Sequence, residues 1–578
     1  MAGTLFLDGR GIDRTTSESE TSPKGAVGAR LLTILIAVAL AQQLILALRR
    51  EINWDEFYFL SRIFEYRTGT LDDLLLTFHV HLFGWLATIP GGEVTQIITG
   101  RVTLLVLETG TLFMIYKIAR GFVPRAAALF AVLAYATSGN ILLYGASFRF
   151  DPIATFVMMS ALVLLLTPSL RWQHAALAGV LIAIGGLVTM KSVFFLPTVV
   201  AVSLWRLAHA PEKRRTFWAL GIGGAASVVA YAALESAHAH LLSGAQTSSR
   251  AEAFLTHSVN TMLLPGEILN KWPYLVDSIA RGLFLWFAIA AGIVLCADRI
   301  RRTRGRDGTA WMMLSFAFPA ATVLFYRNSF PYFYVFALAP ASLLAAVAAQ
   351  QFIQSRARLL RVGVAMVVIA AVQFVQSIGT TSAAQHTTLR AIHQIFPHPV
   401  NYIDRCSMVA QMPKSGFFMS SWGVETYRAQ GQPSFPQVLR DEQPVFVLAN
   451  APQLRAALTA RDVGLPENYT LLDRDARTLR ENYIHHWGPI WIAGKEFEPE
   501  EAGRQSFEIL IDGPYTLEAP SDVLIDAHAV SPGDVVHLDP GNHTLTVSGT
   551  AGPIRLRWGN HLPVPAMEAP KENLFNGF

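Results

Sequence analysis

The stretch Leu31 to Leu60, LLTILIAVALAQQLILALRREINWDEFYFL, decides the fold. Its first part, Leu31 to Leu48, carries no charge and is about long enough to cross a hydrocarbon core of roughly 30 Å. Lipid offers the backbone no hydrogen bonds, so such a run must be helical. Two arginines come next, Arg49 and Arg50, and then an acidic pair, Asp55 and Glu56, a few residues beyond the end of the span. Similar runs recur outward from this one, at Phe217 to Leu234 and Trp311 to Phe325. Of the 578 residues, 52% are hydrophobic and only 15% charged. A soluble globular protein carries about 25% charged residues, so this surface faces the lipid bilayer.

The formal net charge is +4, but the basic residues lie in short loops between apolar runs. That distribution argues against a nucleic-acid patch and for retention of Lys and Arg on the cytoplasmic side. Three clusters set the orientation: Arg206 with Lys213 to Arg215, the arginines from Arg299 to Arg306, and Arg356, Arg358 and Arg361. Apolar runs separate them in pairs, each pair leaving the cytoplasm and returning, and a last run near 362–377 exports the rest of the chain. Lys117, Arg120 and Arg125 also read as cytoplasmic. The stretch 175–205 is long for one helix, short for two and interrupted by Lys191, so it reads as a helix pair or a broken re-entrant hairpin. Residues 74–90 read as an amphipathic helix on the outer interface, since a crossing there would place Lys117 to Arg125 outside. The sum is a polytopic α-helical membrane protein with about 11 transmembrane helices. Residues 1–29 read as a disordered cytoplasmic tail, residues 30–377 as the transmembrane domain, and 49–92 as its first outer loop; Arg49 and Arg50 there are exceptions to the charge rule.

Beyond about 378 the composition is that of a soluble domain. Residues 378–500 mix strand-like runs (Pro444 to Leu448, Pro489 to Ile492) with a helical one (Gln453 to Ala460), which predicts α/β structure. Residues 501–578 alternate apolar and polar residues between Asp512-Gly513, Pro532-Gly533 and Pro540-Gly541, which predicts a small β-rich domain. This last part is similar to PEGA modules over Ile511 to Leu545. Cys296 and Cys406 fall near opposite membrane faces and are not expected to pair. Asn468-Tyr469-Thr470 and Asn542-His543-Thr544 match the glycosylation acceptor pattern, which matters only in a eukaryotic secretory setting.

The sharpest local motif is Asn53-Trp54-Asp55-Glu56-Phe57-Tyr58. Taken alone, an acidic pair at a span exit does no more than keep a helix end in water. A Lys at the centre of a span costs about 2.5–3.5 kcal/mol, so Lys191 reads as functional unless it snorkels to the interface. Asp151, directly before Pro152, reads equally as a helix N-cap. Tyr326 to Tyr334 reads as an aromatic belt that also holds Arg327. Ordered along the chain are Asp55-Glu56-Phe57-Tyr58, Phe78-His79-Val80-His81, Arg101, Arg149-Phe150-Asp151-Pro152, Gly185-Gly186 to Lys191, and Arg327 with Tyr332.

In that order the chain resembles the GT-C glycosyltransferases, in particular protein O-mannosyltransferases and lipid A aminoarabinose transferases, over roughly residues 30–350. The resemblance implies a GT-C-like hexosyl- or pentosyltransferase that moves a sugar from a polyprenyl-phosphate donor to an extracytoplasmic glycolipid, polysaccharide or protein. It implies Asp55 as general base, with Glu56 as its backup or orienting group and Asp151 as a further catalytic carboxylate. Arg101, Arg149, Lys191 and Arg327 would hold the donor phosphate, and His79, His81, Tyr58 and Tyr332 would contact substrate. The family's polar motif near His79 differs here, and two His residues two apart diverge on a helix, so a divalent metal is left open and no cofactor is named. A bacterial inner membrane is expected, with the N-terminus cytoplasmic and the C-terminal domain periplasmic. A flippase for lipid-linked sugars and a non-catalytic scaffold for envelope glycan assembly are the rival readings. The sequence shows neither a nucleotide-binding fingerprint nor the half-to-half symmetry of many transporters.

Overall fold

Hydrophobic blocks without internal hydrogen-bond breakers become long helices, and the computed structural model of the protein obeys that rule. It describes residues 23–242, 271–352, 356–378, 382–461, 464–498, 503–547, 552–571 and 573–575. Most of the expected N-terminal tail, residues 1–22, lies outside them. Among the described residues seven helices are long and apolar enough to cross a membrane, from Gly28–Arg49 to Ala357–Ile378. Three shorter apolar helices, Arg125–Ala136, Phe150–Leu165 and Trp172–Val188, lie between them in sequence. The expected run 310–326 is broken into Gly308–Ser315, Phe318–Ala321 and a 3-10 turn at Thr322–Leu324, with Pro319 at the interruption. Among the described residues, several of the expected runs are thus interrupted rather than continuous.

Contacts divide the chain into two units. The first comprises Met1–Arg50, Glu65–Thr88 and Ile98–Thr380. Its most enclosed helix is Phe333–Gln351, with 94% of its apolar window buried. Small residues let neighbouring helices close on one another: a Cβ at Gly292 would meet the Leu344 carbonyl oxygen at 2.2 Å, and one at Gly179 the Gly223 carbonyl oxygen at 2.1 Å. The stretch expected to break near Lys191 does so. A helix ends at Val188, a 3-10 turn covers Met190–Phe195, and a second helix runs Leu196–His209. Residues 74–90 hold a turn, the short helix His79–Phe83 and a 3-10 segment Gly84–Thr88.

The second unit comprises Glu51–Phe64, Ile89–Ile97 and Thr381–Phe578. The start of the segment read from sequence as the first outer loop therefore belongs with the C-terminal residues. Gln385 fixes it: its Oε1 accepts from the Ile52 amide at 2.9 Å, and its Nε2 donates to the Ile52 carbonyl at 2.7 Å. The strands are β1 (Tyr402–Ile403), β2 (Lys414–Ser415), β3 (Phe446–Leu448), β4 (Tyr483–Trp487) and β5 (Ile490–Phe497). Beyond them lie β6 (Gly503–Ile509), β7 (Gly513–Glu518), β8 (Val523–Ile525), β9 (His528–Val530), β10 (Val535–Leu538), β11 (Gly541–Val547) and β12 (Ile554–Trp558). An eight-stranded sheet runs β10-β7-β12-β5-β3-β1-β2, with β4 also on β5. A four-stranded sheet runs β6-β11-β8-β9.

The expected boundary at 500 does not separate two sheets. β12 pairs with β5 antiparallel, Ile554 opposite Phe497, so the β-rich end extends the α/β sheet. Inner side chains of both sheets, among them Phe497, Tyr515, Leu517, Ile525, Leu545 and Leu556, share one core, as two stacked sheets require. The turn at Gly533 has φ +89°, a conformation glycine adopts without strain.

Candidate functional site

In the first unit, two helix ends bring opposite charges together. Arg149 is the N-cap of helix Phe150–Leu165, with extended backbone, and Asp151 lies in that helix's first turn. The break after Val188 begins with Thr189 in extended conformation (φ −158°, ψ 136°). Lys191 thus leaves the helical path and turns to Asp151, its Nζ 2.8 Å from Oδ1. Arg149 Nε approaches the other oxygen at 3.8 Å. The side chains of Arg149, Lys191 and Asp151 are 5%, 11% and 1% exposed. Asp151 therefore acts as an ion-pair partner, rather than as the side-chain cap that its position before Pro152 also suggested.

Tyr332 closes the cluster. The guanidinium of Arg149 lies 3.4 Å from its ring centroid and the ammonium of Lys191 4.9 Å, both within cation–π range. Phe333 lies 5.6 Å from Lys191 and stacks obliquely with Tyr326 at 5.0 Å. The aromatic residues Tyr332 and Phe333 thus line cations. His79 meets the edge of this group, its ring 5.0 Å from that of Phe150. Four expected residues, Arg149, Asp151, Lys191 and Tyr332, come together here.

Others are placed differently. Arg101 is buried and donates to the carbonyls of Ala47 and Arg50, at 3.4 and 2.9 Å. It caps the end of helix Pro23–Arg49, where four carbonyls lack helical partners. Arg327 is half-buried in the loop between Tyr326 and Tyr332. His81 joins His238, which sequence reasoning missed because it lies on a distant helix, Lys213–Leu241. His81 Nε2 and His238 Nδ1 are 2.8 Å apart, and His238 Nε2 is 3.0 Å from Thr77 Oγ1. The Thr77 hydroxyl donates to the Asp73 carbonyl at 2.7 Å, so it accepts from His238 Nε2. His238 Nδ1 then accepts from His81 Nε2. This chain of bonds requires a neutral His238, whose Nδ1 must keep its lone pair. His79 and His81 face different partners, Phe150 and His238, as residues two apart on a helix do. Among the described residues, the group of side chains with metal-holding spacing is the exposed trio Asp512, His537 and Asp539.

In the second unit, helix Trp54–Thr68 begins with a reciprocal cap. Asn53 Oδ1 accepts from the Asp55 amide at 3.1 Å, and Glu56 Oε2 accepts from the Asn53 amide at 2.9 Å. The spacing Asn53-x-x-Glu56 is a capping-box signature legible in the sequence. Glu56 is 1% exposed and serves the helix start, while Asp55 is half-buried in the first turn. Tyr58 stacks on Phe418 at 4.7 Å and lies under Arg62 at 4.5 Å.

Arg405 stacks its guanidinium 3.8 Å over Trp54. Burial lowers its pKa, and the negative charge of Asp55 opposes that shift, so Asp55 is within electrostatic reach. The Arg405 amide donates to Asn450 Oδ1 at 2.9 Å, and a buried carboxylate orders the turn that follows. Asp404 accepts from the amides of Cys406, Ser407 and Met408 and from Asn450 Nδ2, at 2.8 to 3.0 Å. No short motif announces Arg405, since its place depends on Asn450. Cys296 and Cys406 are both buried free thiols.

No protein-family model matches the sequence, and no curated protein is significantly similar to it. Solved structures do match. An archaeal oligosaccharyltransferase, AglB from Archaeoglobus fulgidus, in complex with an inhibitory peptide and a dolichol-phosphate, aligns with a TM-score of 0.52 at 11% identity, covering 95% of this chain and 98% of its own. ArnT from Cupriavidus metallidurans, bound to undecaprenyl phosphate, aligns with a TM-score of 0.51 at 14% identity, covering 72% and 92%. At these identities the likeness concerns architecture: a helical membrane portion followed by a sheet-rich portion. The chain has the fold of the GT-C membrane glycosyltransferases.

Proposed function

We propose that the chain is an integral-membrane glycosyltransferase that moves a sugar from a polyprenyl-phosphate carrier to an acceptor outside the cytoplasm. The observation that carries this reading is the convergence of Arg149 and Lys191 on Asp151 beside Tyr332, buried at two helix ends. Cleaving a sugar from a lipid phosphate leaves growing negative charge on the phosphate. Cations fixed in advance, with little water around them, stabilise that charge without reorganising. Arg149 supplies a fork for two phosphate oxygens and Lys191 a point charge. Asp151 holds both, and Arg327 adds a further positive charge from the outer loop. The solved relatives in fold include one with dolichol-phosphate and one with undecaprenyl phosphate, which supports a lipid-linked donor.

Asp55 takes the proton of the acceptor hydroxyl in this reading. Glu56 preserves the helix start that presents it. The positive-inside distribution supports a cytoplasmic N-terminus and an external C-terminal unit, and a bacterial inner membrane suits both the loops and the carrier. The test is transfer from synthetic undecaprenyl-phosphate hexoses and pentoses by the full chain in lipid nanodiscs, with bacterial envelope glycolipids, polysaccharides and proteins as acceptors. Asp55→Asn is expected to lower transfer about 10²–10⁴-fold. Undiminished transfer would remove Asp55 as the base. Movement of the carrier across the membrane, without transfer from any donor, would replace the transferase with a flippase.

A further inference from the structure

A cavity of about 470 Å³ opens in the second unit beside Trp54 and Arg405. A neighbouring hollow of about 450 Å³ shares Ala449, Arg455, Gly488 and Pro489 with it. The two form one groove within the size range of small-ligand sites. Its charged lining is basic: Arg405, Arg455 and Lys571 in the first part, Arg461 in the second. The carboxylates nearby are Asp55 and Asp404, both within electrostatic reach of Arg405, and Glu568, 3.0 Å from Lys571 at the exposed rim; Asp404 is already taken up by three amides and Asn450.

The groove carries donors ready for an anion. The Nε atoms of Arg405 and Arg455 are buried and have no hydrogen-bond partner among the described residues. Such a donor loses its hydration without replacement unless a ligand supplies an acceptor. Arg455 is held in position by Asn573 Oδ1, 2.5 Å from its Nη1. Trp54 backs the guanidinium of Arg405. Half-buried aromatic rings lie in both parts, Phe575 in the first and Trp491 in the second. Flat apolar faces beside arginine forks suit a ring with C–H faces and an acidic substituent.

We infer that this groove is the acceptor site and that the acceptor is an acidic saccharide, bound through its carboxylates or phosphates by Arg405, Arg455 and Arg461. Its role as an acceptor site rests on the transferase reading above, because Asp55 directly follows Trp54, the ring on which Arg405 stacks. The binding claim itself does not depend on transfer.

The test is direct binding to the purified full chain in detergent, without donor. The probes are trigalacturonic acid, galactotriose, mannose 6-phosphate, mannose and inorganic phosphate. The acidic sugars are expected to bind at least about tenfold more tightly than their neutral counterparts, and to weaken as salt is raised. Arg461→Glu and Lys571→Glu change exposed side chains. Each is expected to lower binding of trigalacturonic acid about tenfold or more at an unchanged melting temperature. Equal binding of neutral and acidic sugars, or full retention in both variants, would overturn the inference. So would inorganic phosphate binding as tightly as mannose 6-phosphate, since the groove would then recognise charge without sugar. If acidic saccharides bind but are never glycosylated, the binding claim stands and the transferase reading fails.

Discussion

The ammonium of Lys191 lies 2.8 Å from Oδ1 of Asp151, at the break between helices Trp172–Val188 and Leu196–His209. Both side chains are almost wholly buried. Removing one member of a buried pair strands the other charge, at a cost of about 3–5 kcal/mol. Lys191→Met is therefore expected to lower stability by about 3 kcal/mol, at the low end because Arg149 stays near the carboxylate. Adding Asp151→Asn should restore most of that loss while transfer stays abolished. Thermal unfolding in detergent, run beside the transfer assay, checks both parts.

Glu56 and Asp55 should separate cleanly. Glu56→Gln keeps an acceptor for the Asn53 amide, so folding and transfer should remain within about threefold of wild type. Glu56→Ala removes half of the reciprocal cap and should destabilise by about 1 kcal/mol. A large loss of transfer in a well-folded Glu56→Gln would give that carboxylate the catalytic role instead.

His393 makes the stability of the second unit depend on pH. Its Nε2 lies 3.1 Å from both oxygens of Glu93, and this bond raises its pKa above the usual 6.5. The folded pKa is the higher one, so the stabilisation is complete below about pH 6.5 and fades as pH rises through the folded value. The melting temperature of wild type should fall across that window relative to His393→Gln, which should show no such slope. Parallel profiles would disprove the linkage.

Thr77 completes the chain His81–His238–Thr77. Thr77→Val should cost about 1 kcal/mol, because His238 loses the hydroxyl and keeps only the Leu74 carbonyl as an acceptor. Thr77→Ser keeps the hydroxyl and should be close to neutral. Melting temperatures of the two variants decide the matter, and equal values would show that the hydroxyl is dispensable.

Much of this architecture was legible because lipid leaves the backbone few choices. The uncharged run Leu31 to Leu48 had to be a helix, and Lys191 marked a break because a cation is costly in hydrocarbon. Strand-like runs gave β3 and β5 nearly in place. Long-range pairing was not legible. The two bonds between Ile52 and Gln385 join residues 333 apart, and no local pattern specifies them. Arg101 shows a different limit. Its position suits a phosphate ligand, and a charge near a helix end also suits exposed carbonyls; the carbonyl contacts are the ones the packed structure adds to the reading. Arg405 escaped notice because its setting arises from Asp404 and Asn450 together.

The eight-stranded sheet that runs past position 500 bears on how this protein can be shortened or recombined. β7, β10 and β12 all lie beyond that position, yet β12 covers the second half of β5 from Gly494 to Phe497. A chain ending at 500 would bare that edge, together with Phe497, which β12 and its neighbours otherwise enclose. Bared edges pair with other chains, so such a fragment should self-associate rather than lose one activity. The terminal residues are therefore no exchangeable module. A lineage could diversify their loops, but it could acquire or discard the segment only by rebuilding the sheet that precedes it.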